Sequence, residues 1–135
     1  MFQSLNFHIL PEGWTDPRMD RRRKGKLGED MAAKFLEERG YVILSRNYRY
    51  DRGEIDIVAE QGGEVVFVEV KLRVSDRFGT PEESITPAKE EQLKKVAEGY
   101  VREHGNEHQP CRFDVVAISF VDGRPEIRLH QNAIV

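Results

Sequence analysis

Two charged residues stand where a buried strand should be apolar. The segment from Glu64 reads EVVFVEVKLR. Side chains of a strand alternate faces, so Val65, Phe67, Glu69, Lys71 and Arg73 share one face, and Val66, Val68, Val70 and Leu72 the other. Both faces begin apolar, which marks an inner strand, and a carboxylate there is costly unless it is paired or bound to a metal. An ion pair between Glu69 and Lys71 at the strand end is one resolution. The preceding segment, GEIDIVAE, offers another. Alternation puts Ile55, Ile57 and Ala59 on one face and Glu54, Asp56 and Val58 on the other. The QGG turn pairs the two segments as a hairpin, which brings Asp56 beside Glu69. Two carboxylates in contact repel unless a cation lies between them. Oxygen-only ligation suits a hard ion, Mg²⁺ or Mn²⁺. Lys71 then lies over a water at that site, which its amine could orient or deprotonate while offsetting charge on a phosphoryl group. The chemistry so described is metal-assisted phosphodiester hydrolysis.

These residues need elements to position them. In TDPRMDRRRKGKLGEDMAAKFLEERG, Asp16 is an N-cap, Pro17 suits the first helical position and Gly40 is a stop. Leu27, Met31, Ala32, Phe35 and Leu36 share one side, and Gly25 and Gly28 weaken the first turns. Glu29 sits at the border of that stripe, within reach of a sheet. YVILSRNYRY reads as a strand. VSDRFGTPEESI reads as a loop, after which Thr86 and Pro87 open a second helix with Leu93, Val96, Ala97, Tyr100 and Val101 inward. Lys89 falls within that stripe and Gln92 follows one turn on. RFDVVAISF and PEIRLH are strands joined at Asp-Gly. The predicted order is helix, three strands, helix, two strands. Residues 1–15 show no clean period and read as a tail before a single domain over 16–135.

The 135 residues suffice for one core, and 39% hydrophobic with 33% charged residues is a globular composition. No apolar run is long enough to span a bilayer, and no secretory leader is expected. One cysteine, Cys111, permits no internal disulfide and fits a cytoplasmic setting. A formal net charge of -3 argues against coating nucleic acid by bulk charge. A local patch is different: RMDRRRKGK concentrates Arg21, Arg22, Arg23, Lys24 and Lys26 at a helix start, where cations are unfavourable without a partner. Arg73, Arg77 and Lys89 could line the same cleft. His104 and His108 have helical spacing but no third ligand, and read as solvated. Asp114 reads as a structural partner for Arg112 or a backbone group, with support of the site by a strand acid as the alternative.

The carboxylate of GEIDIVA followed by FVEVK resembles the PD-(D/E)xK nuclease superfamily, which includes many restriction enzymes and the archaeal Holliday junction resolvases. More narrowly, GKLGEDMAAKFLEERGY, GEIDIVA, VFVEVKLR, FGTPEESITPAK and RFDVVAI resemble the uncharacterised bacterial YraN-like family, over nearly everything from Lys26 to Ile118. The resemblance implies an α/β fold with a restriction-endonuclease-like αβββαβ core, its central mixed sheet flanked by helices, and a divalent-metal nuclease site. By it Asp56 and Glu69 hold the metal, Lys71 is the motif lysine, and Glu29 is the first-helix acid that completes the metal site in the resolvase-like branch. Gln92 or Lys89 matches the polar residue that this branch places on its second helix. Ile55, not Pro, precedes Asp56, a departure from the name motif. Resolvase-like relatives pair as homodimers, which the resemblance allows here. The expected activity is Mg²⁺- or Mn²⁺-dependent endonuclease action on structured or branched DNA. The alternative is a non-catalytic nucleic-acid-binding module that keeps the fold.

Overall fold

Strands whose two faces are both apolar must be covered on both sides, and the computed structural model meets that requirement with one helix on each face of a single sheet. It describes residues 2–6, 21–73, 79–121 and 123–134. The elements are β1 (Phe2–Asn6), α1 (Arg21–Glu37), β2 (Val42–Tyr50), β3 (Gly53–Gln61), β4 (Glu64–Arg73), a 3-10 turn (Glu82–Ser84), α2 (Pro87–His104), β5 (Cys111–Val121) and β6 (Arg124–Ile134). From α1 onward this is the expected order.

The sheet runs β1-β6-β5-β4-β3-β2. Only β4 and β5 pair in parallel; the other neighbours are antiparallel. The result is the restriction-endonuclease-like α/β core, with the charged strand β4 in its interior. On one face, Ala32, Phe35 and Leu36 of α1 pack on Ile57, Val66, Val68, Val116 and Ile118. On the other, Leu93, Val96 and Tyr100 of α2 pack on Val58, Val65 and Phe67.

Local chemistry sets the joints. Gly62 and Gly63 both have positive φ, at 60° and 80°, which closes a two-residue hairpin in the sense that matches strand twist. Thr86 caps α2 by accepting the Lys89 N–H at 3.2 Å, with Pro87 at the first helical position. Gly99 lets α2 approach β2, because a Cβ there would stand 2.4 Å from the Tyr50 ring.

Phe2–Asn6, expected to belong to a tail, forms β1 and pairs with β6 from Phe2↔His130 to Asn6↔Glu126. A sheet edge offers unpaired N–H and C=O groups that a short segment can satisfy without any amphipathic period, so periodicity gave no sign of it. The proposed cap at Asp16 and Pro17 lies outside the described residues.

Candidate active site

The ladder between β3 and β4 runs from Gln61↔Glu64 to Ile57↔Val68 and stops there. Beyond that point the Val70 N–H donates to the Asp56 carboxylate, at 2.8 Å. The two strands therefore part where Asp56 and Glu69 face each other, and a side chain takes the place of a backbone acceptor. On the other side of β3, Arg46 and Tyr48 of β2 pair with Ile57 and Ile55, and Asn47 between them has φ 54°. Strict alternation fails at this point. Ile55 packs on the α2 side with Val58, not with Ile57 and Ala59 as alternation predicts. The left-handed residue and the interrupted ladder let β3 turn its faces over around Asp56.

Asp56 and Glu69 lie close enough for the one to act on the charge of the other. Burial holds the Asp56 carboxyl well above the usual carboxylate range, the neighbouring Glu69 pushes it further, and the Val70 N–H and Lys89 offset part of the rise. Glu69 is 4% exposed. Lys89 Nζ lies 3.3 Å from Glu69 Oε2 and Lys71 Nζ lies 4.0 Å from it. Both ammonium groups pair with this buried oxygen by charge, yet it accepts no hydrogen bond. Glu29 comes from α1. Its Oε1 is also buried without a hydrogen bond. Burial raises its pKa, the Asp56 charge raises it further, and Arg46 and a hydrogen bond from Asn47 oppose the rise.

Among the described residues no three His, Cys, Asp or Glu side chains converge as a closed metal cage. What converges is a pair of acids, one oxygen of which has two lysines beside it but accepts no hydrogen bond, and Glu29 standing near Asp56. That donor set fits a hard cation that keeps its waters and takes further oxygens from phosphate, Mg²⁺ or Mn²⁺. Such an ion would satisfy the buried Glu29 Oε1, which accepts no hydrogen bond, and would share Glu69 Oε2 with the two lysines.

The remaining predicted residues divide. Lys89, expected along a nucleic-acid cleft, pairs with Glu69. Gln92 gives its amide to the Arg52 carbonyl, at 3.4 Å, at the β2–β3 turn, and not to either acid. Arg22, Arg23 and Lys26 are exposed on the first turns of α1, and Lys24 is partly covered. Arg21 opens that helix. Arg73 is exposed at the end of β4. Arg77 lies outside the described residues. His104 is exposed, as expected, and one side of its ring stacks on Tyr100 with centroids 3.9 Å apart, while Nδ1 lies 3.0 Å from the Tyr100 carbonyl oxygen. Tyr100, one turn earlier on α2, supplies the aromatic surface that a reading of metal-ligand spacing overlooks.

Asp114 is structural, as expected. Fully buried, it accepts from the Tyr41 hydroxyl at 2.7 Å, Arg112 Nε at 3.1 Å and the Asn132 N–H at 2.9 Å. Sequence reasoning missed the cluster of Glu82, Ser119, Glu126, Arg128 and His130. Along β6, Glu126, Arg128 and His130 alternate with Ile127 and Leu129 and so share one face. The signal was the acid of PEES falling in the connection that must pass over that face.

A sequence model of the group described as "Uncharacterised protein family UPF0102" matches residues 28–118. The chain is 50% identical over 113 residues to a UPF0102 protein of Symbiobacterium thermophilum, covering 83% of this chain and 96% of that one. It is 52% identical over 100 residues to one of Moorella thermoacetica, covering 74% and 83%. With one of Dehalococcoides mccartyi it shares 40% over 115 residues, covering 85% and 95%. Among the described residues no helix is long and apolar enough to cross a membrane.

Proposed function

The chain belongs to the uncharacterised protein family UPF0102, and from that premise we propose that it is a divalent-metal-dependent endonuclease acting on structured or branched DNA. One observation carries the reading. Asp56 and Glu69 lie close together at the point where β3 and β4 separate, and a buried Glu69 oxygen stands without a hydrogen bond beside two lysines. A structural role is better served by one acid paired with one base, since adjacent buried acids repel.

Asp56 and Glu69 would hold Mg²⁺ or Mn²⁺, with Glu29 approaching from α1, and the ion would supply an activated water and charge neutralisation for a phosphodiester. Lys71, partly exposed on the same strand face as Glu69, would orient the attacking water and offset charge on the phosphoryl group. Lys89 balances the acid pair from α2 and offsets charge on the phosphoryl oxygens. The exposed Arg22, Arg23 and Lys26, with Lys24 and Arg73, draw a negatively charged backbone to an otherwise acidic protein.

The test is cleavage of branched, single-stranded and duplex DNA in Mn²⁺, by wild type and by Lys71→Met. Metal-dependent products from the wild type alone support the nuclease. DNA binding without cleavage on every substrate overturns it in favour of a binding module on the same fold.

A further inference from the structure

The 3-10 turn ahead of α2 lies over the sheet face that carries Glu69 and Lys71, and Glu82 ties it to β6. Glu82 forms a two-pronged pair with Arg128 of β6: Arg128 Nε to Oε2 at 2.8 Å and Nη2 to Oε1 at 2.9 Å. His130 Nε2 lies 2.8 Å from the same Oε2. Arg128 is itself aimed by the Ser119 hydroxyl, at 2.7 Å, and by Glu126, at 3.1 Å. A planar guanidinium held on three sides offers its fork in one orientation. The Arg128 fork holds the Glu82 carboxyl down at about 2, so the pair is charged throughout the neutral range.

The strand register gives this pair its reach. On β4, β5 and β6 the rows run Glu69, Val115, His130 and Lys71, Ala117, Arg128. The cluster therefore lies on the same face as Glu69, with one strand of small apolar side chains between. Ile85 at the end of the turn packs on the α2-side core, and a cavity of about 500 Å³ opens beside it, lined by Glu82, Ile85, Glu90, Val115 and His130 among others. Four residues after Glu82 comes the Thr86 cap, and three residues further Lys89, whose ammonium reaches Glu69.

We infer that Glu82 and Arg128 are positioning residues that set the start of α2, and through it hold Lys89 on Glu69. They touch neither acid. The inference rests on the nuclease reading for its catalytic consequence, while its structural core stands apart from that reading. Loss of one prong lets the first turn of α2 shift across the cavity, and Lys89 leaves the carboxylate pair.

The experiment compares wild type, Glu82→Gln, Lys89→Met and the double variant. Amide hydrogen exchange reads the first turn of α2 directly, through the Lys89 and Glu90 N–H groups that bond to Thr86. In Glu82→Gln these amides exchange about tenfold faster while the amides of β4 keep their protection. Cleavage kcat falls about tenfold in Glu82→Gln with KM nearly unchanged, and Glu82→Gln costs nothing further once Lys89 is Met. Unchanged exchange at Lys89 and Glu90 overturns the inference whether or not the protein cuts DNA. Additive losses in the double variant overturn the route through Lys89. A wild type that never cleaves instead removes the proposed function and leaves the exchange measurement to decide the positioning claim.

Discussion

Lys89 Nζ, on α2, lies nearer to Glu69 Oε2 than does Lys71 Nζ, two residues along the same strand: 3.3 Å against 4.0 Å. The motif lysine is thus not the main ion-pair partner of the motif acid. On the proposed reading Lys71 is left to serve a water, and the acid is balanced from another element.

The two lysines should therefore separate in their kinetics. Lys71→Met is expected to lower kcat by about a hundredfold or more, the loss expected when a charge that orients the water and stabilises the phosphoryl group is removed, with Mn²⁺ affinity retained. Lys89→Met is expected to cost about tenfold and to tighten Mn²⁺ binding, since a competing cation leaves Glu69. Single-turnover cleavage and metal titration on both variants measure this, and equal losses in both would contradict it.

The Glu82 carboxyl supplies a pH signature. Its folded pKa lies at about 2, below the ordinary value of 4.5. The unfolded chain binds this proton more readily, so the Arg128 pair contributes stability in full above about 4.5 and loses it as pH falls toward 2. Denaturant unfolding of wild type should lose stability across that window, and Glu82→Gln should give a flatter curve there. Parallel curves would show that the pair adds nothing.

The basic start of α1 predicts sequence-independent attraction. Replacing Arg22 and Lys26 together with Gln should weaken binding to all DNA forms alike. It should also lower the slope of log affinity against log salt by about 2, one unit per phosphate contact removed. Fluorescence anisotropy across a salt series reads this directly, and an unchanged slope would place the contacts elsewhere.

Asp114 predicts stability without chemistry. Asp114→Ala strips the buried partner from Tyr41, from the Asn132 N–H and from Arg112, whose side chain is 11% exposed. Leaving those groups without it should cost about 3 kcal/mol and lower Tm by roughly 10 °C. Mn²⁺ binding by the fraction still folded should match the wild type. A Tm within a degree or two of wild type would mean the network relaxes around the loss.

The parts of the fold that were legible in the sequence rest on local rules. Two apolar faces around Val65 to Leu72 placed β4 inside the sheet, and Thr86-Pro87 marked the start of α2. The meeting of Asp56 and Glu69 followed from the hairpin alone. The illegible parts depend on long-range geometry. β1 is held by backbone pairing with β6, from Phe2↔His130 to Asn6↔Glu126, and such pairing carries no side-chain period. The reversal of faces around Asp56 needed the left-handed Asn47 and the interrupted ladder, neither of which alternation can foresee. Lys89 reaches Glu69, and Glu82 reaches Arg128, only because the chain crosses the sheet face before and along α2. Both pairings join elements that the sequence keeps apart.

The most direct test of the central claim is calorimetric titration of Mn²⁺ into wild type and Asp56→Ala, each then assayed with the same branched, single-stranded and duplex DNA. Uptake of Mn²⁺ by wild type, its loss in Asp56→Ala, and metal-dependent cleavage lost with it are the predicted result. Wild type that binds DNA yet takes up no Mn²⁺ and cuts nothing would contradict the account.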